Sequence, residues 1–139
     1  MFMRRIWIVV QGVILFLLFT HMTCAKAEDN LAGGCFKARM LGYLCGQANF
    51  QILDSKYYSL GENGWVDANN KKQDHVFKTL LTCTDLKTLD ALARPNYDGL
   101  EFFIQILDKQ EDTGCAICKA LLYGPSTFHY VKLQGDSCK

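Results

Sequence analysis

The sequence predicts a mainly α-helical fold: a small single-domain bundle of four to five helices stapled by three disulfides. A short β or irregular segment near 51–66 and an extended C-terminal tail complete it. Three observations carry this prediction. Apolar residues recur at spacings of three and four over 35–50, 75–92 and 98–110. Breaker residues such as Arg94-Pro95 and Gly124-Pro125 punctuate those runs. Six cysteines follow an apolar N-terminus, the pattern of a disulfide framework in an exported chain. At 139 residues, half of them apolar and 21% charged, the chain has the length of one domain and the composition of a folded one.

Residues 1–27 read as a cleaved signal peptide. Arg4 and Arg5 form a positive start, Ile6 to Phe19 an apolar stretch, and Ala25-Lys26-Ala27 a small-x-small cleavage site. The apolar stretch is shorter than the roughly 17–25 residues of a spanning helix, so no stable membrane anchor is expected after cleavage. The residues before Cys24, His21-Met22-Thr23, do not form a lipobox. Cleavage leaves 112 residues with 12 basic and 14 acidic side chains, a net charge of −2. That balance disfavours nucleic acid and anionic membranes as partners. The expected location is secreted or periplasmic, and the expected domain is a disulfide-stabilised helical one over 28–139.

Along that domain, Phe36, Met40, Tyr43 and Leu44 define a first helix from Cys35 to Phe50. In such a helix Cys35 and Cys45 lie nearly three turns apart and each must reach another segment. Lys56-Tyr57-Tyr58-Ser59-Leu60 runs into Gly61-Glu62-Asn63-Gly64, a turn, and then Trp65-Val66, so a hairpin or a structured loop is expected there. Val76, Phe77, Leu80, Leu81, Cys83, Leu86, Leu89 and Leu92 mark further helix, divided at Thr84-Asp85 by N-cap chemistry. Asp98 caps another helix to about Gln110, with Leu100, Phe103, Ile104 and Leu107 inward. Thr113 starts a last helix that aligns Cys115, Cys118, Leu121 and Leu122. The alternation over Thr127–Leu133 suits a strand or extended tail.

Cys35, Cys45, Cys83, Cys115, Cys118 and Cys138 are the disulfide candidates. Fifteen pairings are possible, and long-range bridges from the first three to the last three are favoured. Cys115-Ala-Ile-Cys118 alone resembles a catalytic motif. A thiol–disulfide oxidoreductase built on it requires a preceding strand and a long β-rich half, for which 21 residues after Cys118 are too few. A zinc site using it with His129 or Cys138 lacks a second close ligand pair. No metal or cofactor is therefore expected. No Gly-x-Ser-x-Gly or His-Glu-x-x-His occurs, and His75 and His129 read as a solvated helix-start residue and a packed or partly exposed one.

Tyr57, Tyr58 and Trp65 around the glycine turn are the candidate binding residues, because Tyr and Trp dominate interface hot spots. The competing reading folds them back as a satellite core. The leading expectation is an exported, non-enzymatic binding protein acting on a protein partner, as an effector, inhibitor or immunity-type protein would. The alternatives are a small-ligand or lipid carrier with an apolar helical pocket, and the oxidoreductase using Cys115 and Cys118. Intact mass tests the processing: the exported protein should weigh residues 28–139 less six hydrogens and take up no alkylating agent without reductant. A species retaining 1–27, or alkylated at Cys115 and Cys118, would contradict it.

Overall fold

The computed structural model describes residues 33–92, 96–111, 114–115, 120–134 and 137–138. The expected signal peptide at 1–27, the Arg94-Pro95 break, Thr113 and Cys118 lie outside the described residues. The fold is mainly β, not a helical bundle. Strands β1 (Cys35–Leu44), β2 (Gln47–Ile52), β5 (Val76–Leu80), β6 (Glu101–Leu107) and β7 (Tyr130–Gln134) form one antiparallel sheet in the order β5-β2-β1-β6-β7. Two short strands, β3 (Trp65–Val66) and β4 (Lys72–Gln73), pair as a separate hairpin. A 3-10 helix spans Ser55–Leu60, and the helix α1 spans Cys83–Ala91.

The sheet curls until its ends meet. Lys78 N–H donates to Thr127 O at 2.9 Å and His129 N–H to Lys78 O at 3.1 Å, a single parallel bridge between β5 and the residues entering β7. These pairings, with a helix between β5 and β6, have the connectivity of the OB-fold, a partly open five-stranded Greek-key barrel. Phe36, Ala38 and Met40 of β1, Ala48, Phe50 and Ile52 of β2, Phe77 of β5, Ile104 and Ile106 of β6 and Val131 of β7 fill its interior. Phe50 stacks on Phe77 and meets Phe102 edge-on, at centroid separations of 5.9 and 6.4 Å.

The helices expected over 35–50 and 98–110 are strands, and the reason is periodicity. Phe36 and Met40 are four apart, a spacing that fits one helical turn and also two repeats of a strand. The intervening residues decide. Ala38 is buried while Lys37 is exposed, a two-residue alternation. At Cys45-Gly46 the chain reverses with both φ values positive, 54° and 81°, between the paired Leu44 and Gln47. That is the primed two-residue hairpin turn, which leaves no continuous helix through Cys45. β6 looked broadly apolar because Phe102, Ile104 and Ile106 reach the core while Phe103 and Leu107 are half-buried on its other side. Two-sided burial erases alternation, and aromatic and β-branched enrichment is then the surviving strand signal. Asp98 lies in the turn before β6 rather than at a helix start.

Only Cys83–Ala91 of the helix expected from 75 is helical, and its cap is Thr82, not Thr84-Asp85. Asp85 occupies the third helical position, and its Oδ2 accepts from Thr82 N–H at 3.1 Å and Thr82 Oγ1 at 2.7 Å, while Thr82 Oγ1 accepts from Asp85 N–H. This reciprocal capping box satisfies donors that a helix start leaves unpaired. Asp85 Oδ1 also accepts from Leu133 N–H at 2.9 Å, so one buried carboxylate joins α1 to β7. Burial is the main influence on its pKa and holds it above the usual range against those donors.

Disulfides clamp the same elements. Cys35–Cys138 ties the start of β1 to the chain end across 103 residues, and Cys83–Cys115 ties α1 across 32. Chain-entropy reasoning assigns them about 5 and about 4 kcal/mol respectively. Cys45 is also disulfide-bonded. Asp85→Ala should cost about 2–4 kcal/mol in chemical denaturation, because it strands buried N–H groups of Thr82 and Leu133. Asp85→Asn, keeping an acceptor, should cost less. Equal costs for the two would contradict this account.

Candidate functional site

On β2 the even-numbered residues 48, 50 and 52 point inward, so Gln47 and Asn49 lie on the other side of the strand. Their carboxamides hold the segment 120–124 against the barrel wall as a strap. Gln47 Nε2 donates to Ala120 O at 2.7 Å, and Gln47 Oε1 accepts from Leu122 N–H at 3.2 Å. Asn49 Nδ2 donates to Tyr123 O at 2.8 Å. Side-chain amides thus do for the strap what a neighbouring strand does in a sheet. Residues 120–124 are not helical, which corrects the expected alignment of Leu121 and Leu122 on a helix. A side chain at Gly124 would fall on the Asn49 carboxamide, so the strap passes only as glycine.

The strap is anchored beyond its C-terminal end by Glu62. Glu62 Oε2 accepts from the backbone N–H of Ser126 and Thr127, at 2.8 and 2.9 Å, and from both hydroxyls. Glu62 is itself paired through its backbone to Val76 at the start of β5. The hydrogen bond from the Ser126 hydroxyl is the largest influence holding its carboxyl below the usual glutamate range.

Two clefts flank the strap. The larger, about 460 Å³, lies towards β5 and β7 and is lined by Lys78, Leu80, Leu121, Phe128 and Tyr130 among others. The smaller, about 230 Å³, lies towards the β3–β4 hairpin and is lined by Tyr43, Asn49, Trp65, Asp67, Asn69, Asp98 and Tyr123 among others. Trp65 stacks on Tyr123 at 6.0 Å. Asp67 organises the hairpin: its Oδ1 accepts from Asn69 and Lys71 N–H and its Oδ2 from Gln73 Nε2. The bond from Gln73 is the foremost reason its carboxyl sits low.

Of the three aromatic residues singled out in the sequence, Trp65 lines one of these two clefts and Tyr57 and Tyr58 line neither. Tyr57 is buried in the core and stacks on Phe36 at 4.6 Å. Tyr58 is half-buried and stacks on the His75 ring at 3.7 Å. His75 does not begin a helix; it precedes β5 with φ 58°. His129 Nε2 donates to Leu60 O, 2.7 Å away. Gln47, Asn49 and Glu62 escaped the sequence reading, since no local pattern marks an amide or carboxylate as a tether for a segment more than 60 residues away. The exposed Leu121 and Tyr123 before Gly124-Pro125 were the one available hint.

The Cys115 sulfur is joined to Cys83, so it does not form the local Cys115–Cys118 bond through which a thiol-exchange motif cycles. Among the described residues no group of three or more His, Cys, Asp or Glu could hold a metal ion, and no helix is long and apolar enough to cross a membrane. Comparison with family models, curated proteins and solved structures finds no match.

The Glu62 tether sets a pH dependence. Its folded pKa is depressed, so its contribution is complete above the unfolded value near 4.3 and is lost as pH falls through the lower folded value. Glu62→Gln should lower stability at pH 7 by about 1 kcal/mol, solvent screening included. The difference from the unaltered protein should shrink between about pH 5 and pH 3. A difference independent of pH would contradict the charged tether.

Proposed function

We propose that the chain is an exported binding protein that acts by engaging another protein, without chemistry of its own. The observation that carries this reading is the strap, on which Leu121 is 86% and Tyr123 69% exposed. Large apolar side chains held in the open on a tethered segment are the feature that marks interaction surfaces. Phe128 adds a third exposed apolar side chain at the cleft towards β5. The Gln47 and Asn49 tethers preorganise the strap, which reduces the ordering cost of association. The partner surface that suits it is apolar with a polar rim.

Export is supported by the disulfides, which persist in oxidising compartments, and by the sequence order of residues 1–27. The lipid-carrier reading has less support. The barrel interior is filled by Phe36, Phe50, Phe77 and Met40, and both clefts carry polar side chains. Photo-cross-linking tests the proposal. A cross-linking phenylalanine analogue replacing Leu121 should capture a discrete partner in the medium or periplasm of producing cells. The same analogue replacing Lys87 on α1 should not, and Phe128→Glu should weaken the capture. Identical adducts from both positions, or none from position 121, would refute the strap as an interface.

A further inference from the structure

Within the strap, one side chain holds the residues on both sides of Leu121. Gln47 Nε2 donates to Ala120 O and Gln47 Oε1 accepts from Leu122 N–H, at 2.7 and 3.2 Å. Between them, the N–H and C=O of Leu121 make no hydrogen bond with the described residues. The Leu121 side chain is 86% exposed, while that of Leu122 is half-buried. Residues 120–124 form neither helix nor turn. Tyr123 is also exposed, but its carbonyl is taken by Asn49. Leu121 is therefore the exposed strap residue whose carbonyl is free. Both flanks are fixed, by Cys83–Cys115 on one side and by Glu62 at Ser126 and Thr127 on the other.

A serine peptidase acts on such a backbone. It takes the side chain preceding the scissile bond into a pocket and binds the free carbonyl oxygen in its oxyanion hole. We propose, on the reading that the strap is a protein interface, that its partner is a serine peptidase with a large apolar pocket, which the Leu121–Leu122 bond inhibits. The enzyme's serine oxygen adds to the Leu121 carbonyl carbon. The bond to the Leu122 nitrogen then breaks, and that nitrogen leaves with a proton from the enzyme's histidine. In an ordinary substrate the new amine departs and water hydrolyses the ester. Here Gln47 Oε1 and the Asn49 bond to Tyr123 O hold the amine end beside the ester. Held there, the amine attacks the ester at a high effective concentration, returning the proton to the histidine and releasing the serine. The peptide bond re-forms, and the enzyme remains occupied.

Chymotrypsin, whose pocket is an apolar slot, is the probe, and trypsin, whose pocket is acidic, is the control. The oxidised exported chain should inhibit chymotrypsin with a Kd of ~1 µM or tighter. Long incubation should convert part of it to a form heavier by one water, cut between Leu121 and Leu122 and still one molecule through Cys35–Cys138. That cut form, isolated and returned to chymotrypsin, should regain the intact mass. Leu121→Lys should lose about 30-fold or more against chymotrypsin, the size of a hot-spot contact, and should gain inhibition of trypsin. The proposal is overturned by no inhibition of chymotrypsin, whether or not the strap is cut, or by a cut form that never reseals. Inhibition that Leu121→Lys leaves unchanged would overturn it too, as would a loss without the gain against trypsin in a variant with an otherwise unaltered amide spectrum. Capture of a partner through position 121 would still uphold the strap as an interface after any of these results. Failure of both experiments would remove that reading as well.

Discussion

The meeting of β5 with residues 127–129 is the contact on which the other features of this molecule depend. Lys78 exchanges two backbone hydrogen bonds with Thr127 and His129, and that bridge brings the two ends of the curled sheet together. Without it, β5 and β7 would be the two edges of an open sheet, each presenting unpaired backbone groups. Glu62 fixes the same point from the side chain, gathering Ser126 and Thr127 through backbone and hydroxyl alike. Because the bridge is single, the strands part after it, and the larger cleft lies between Leu80 and Tyr130.

Closure also explains where the strap lies. With Thr127 held against Lys78, the chain from Ala120 to Gly124 has to cross the outer face of β2. Gln47 and Asn49 receive it there without adding a strand. The strap held by two carboxamides presents Leu121 and Tyr123 to solvent with the half-buried Leu122 between them, and divides the wall into two clefts of different character. One is bordered by Leu121, Phe128 and Tyr130, the other by Trp65, Asp67 and Asp98. The barrel is thus a support for a surface assembled from residues distant in sequence, and the connectivity of the fold does not by itself assign a function to that surface.

The covalent bonds reinforce the same arrangement from the opposite direction. Cys35–Cys138 joins the first strand to the end of the chain, and Cys83–Cys115 joins the helix start to the segment preceding the strap. Asp85 lies two residues from Cys83 and binds β7 through Leu133. The helix start is therefore held by a disulfide, a capping box and a strand contact together, so the end of β5 is fixed relative to β7.

Much that is local was legible in the sequence. The even set of six cysteines after an apolar leader pointed to disulfides, and two long-range bridges are present among the described residues. Gly61-Glu62-Asn63-Gly64 read as a turn, and Trp65 was singled out beside it. The fold class was not legible, because residues four apart, such as Phe36 and Met40, satisfy helical and strand periods alike. Ala38 between them is small enough to be overlooked as a core residue, and Cys45-Gly46 as a hairpin turn is visible only once both flanking strands are recognised. Sequence alone determined which residues are apolar and which sulfurs are available to bond. Only the tertiary structure decided that β5 meets β7, that Gln47 and Asn49 hold a strap, and that Trp65 stacks on Tyr123 of that strap. Those are contacts between segments tens of residues apart, and no local propensity encodes them.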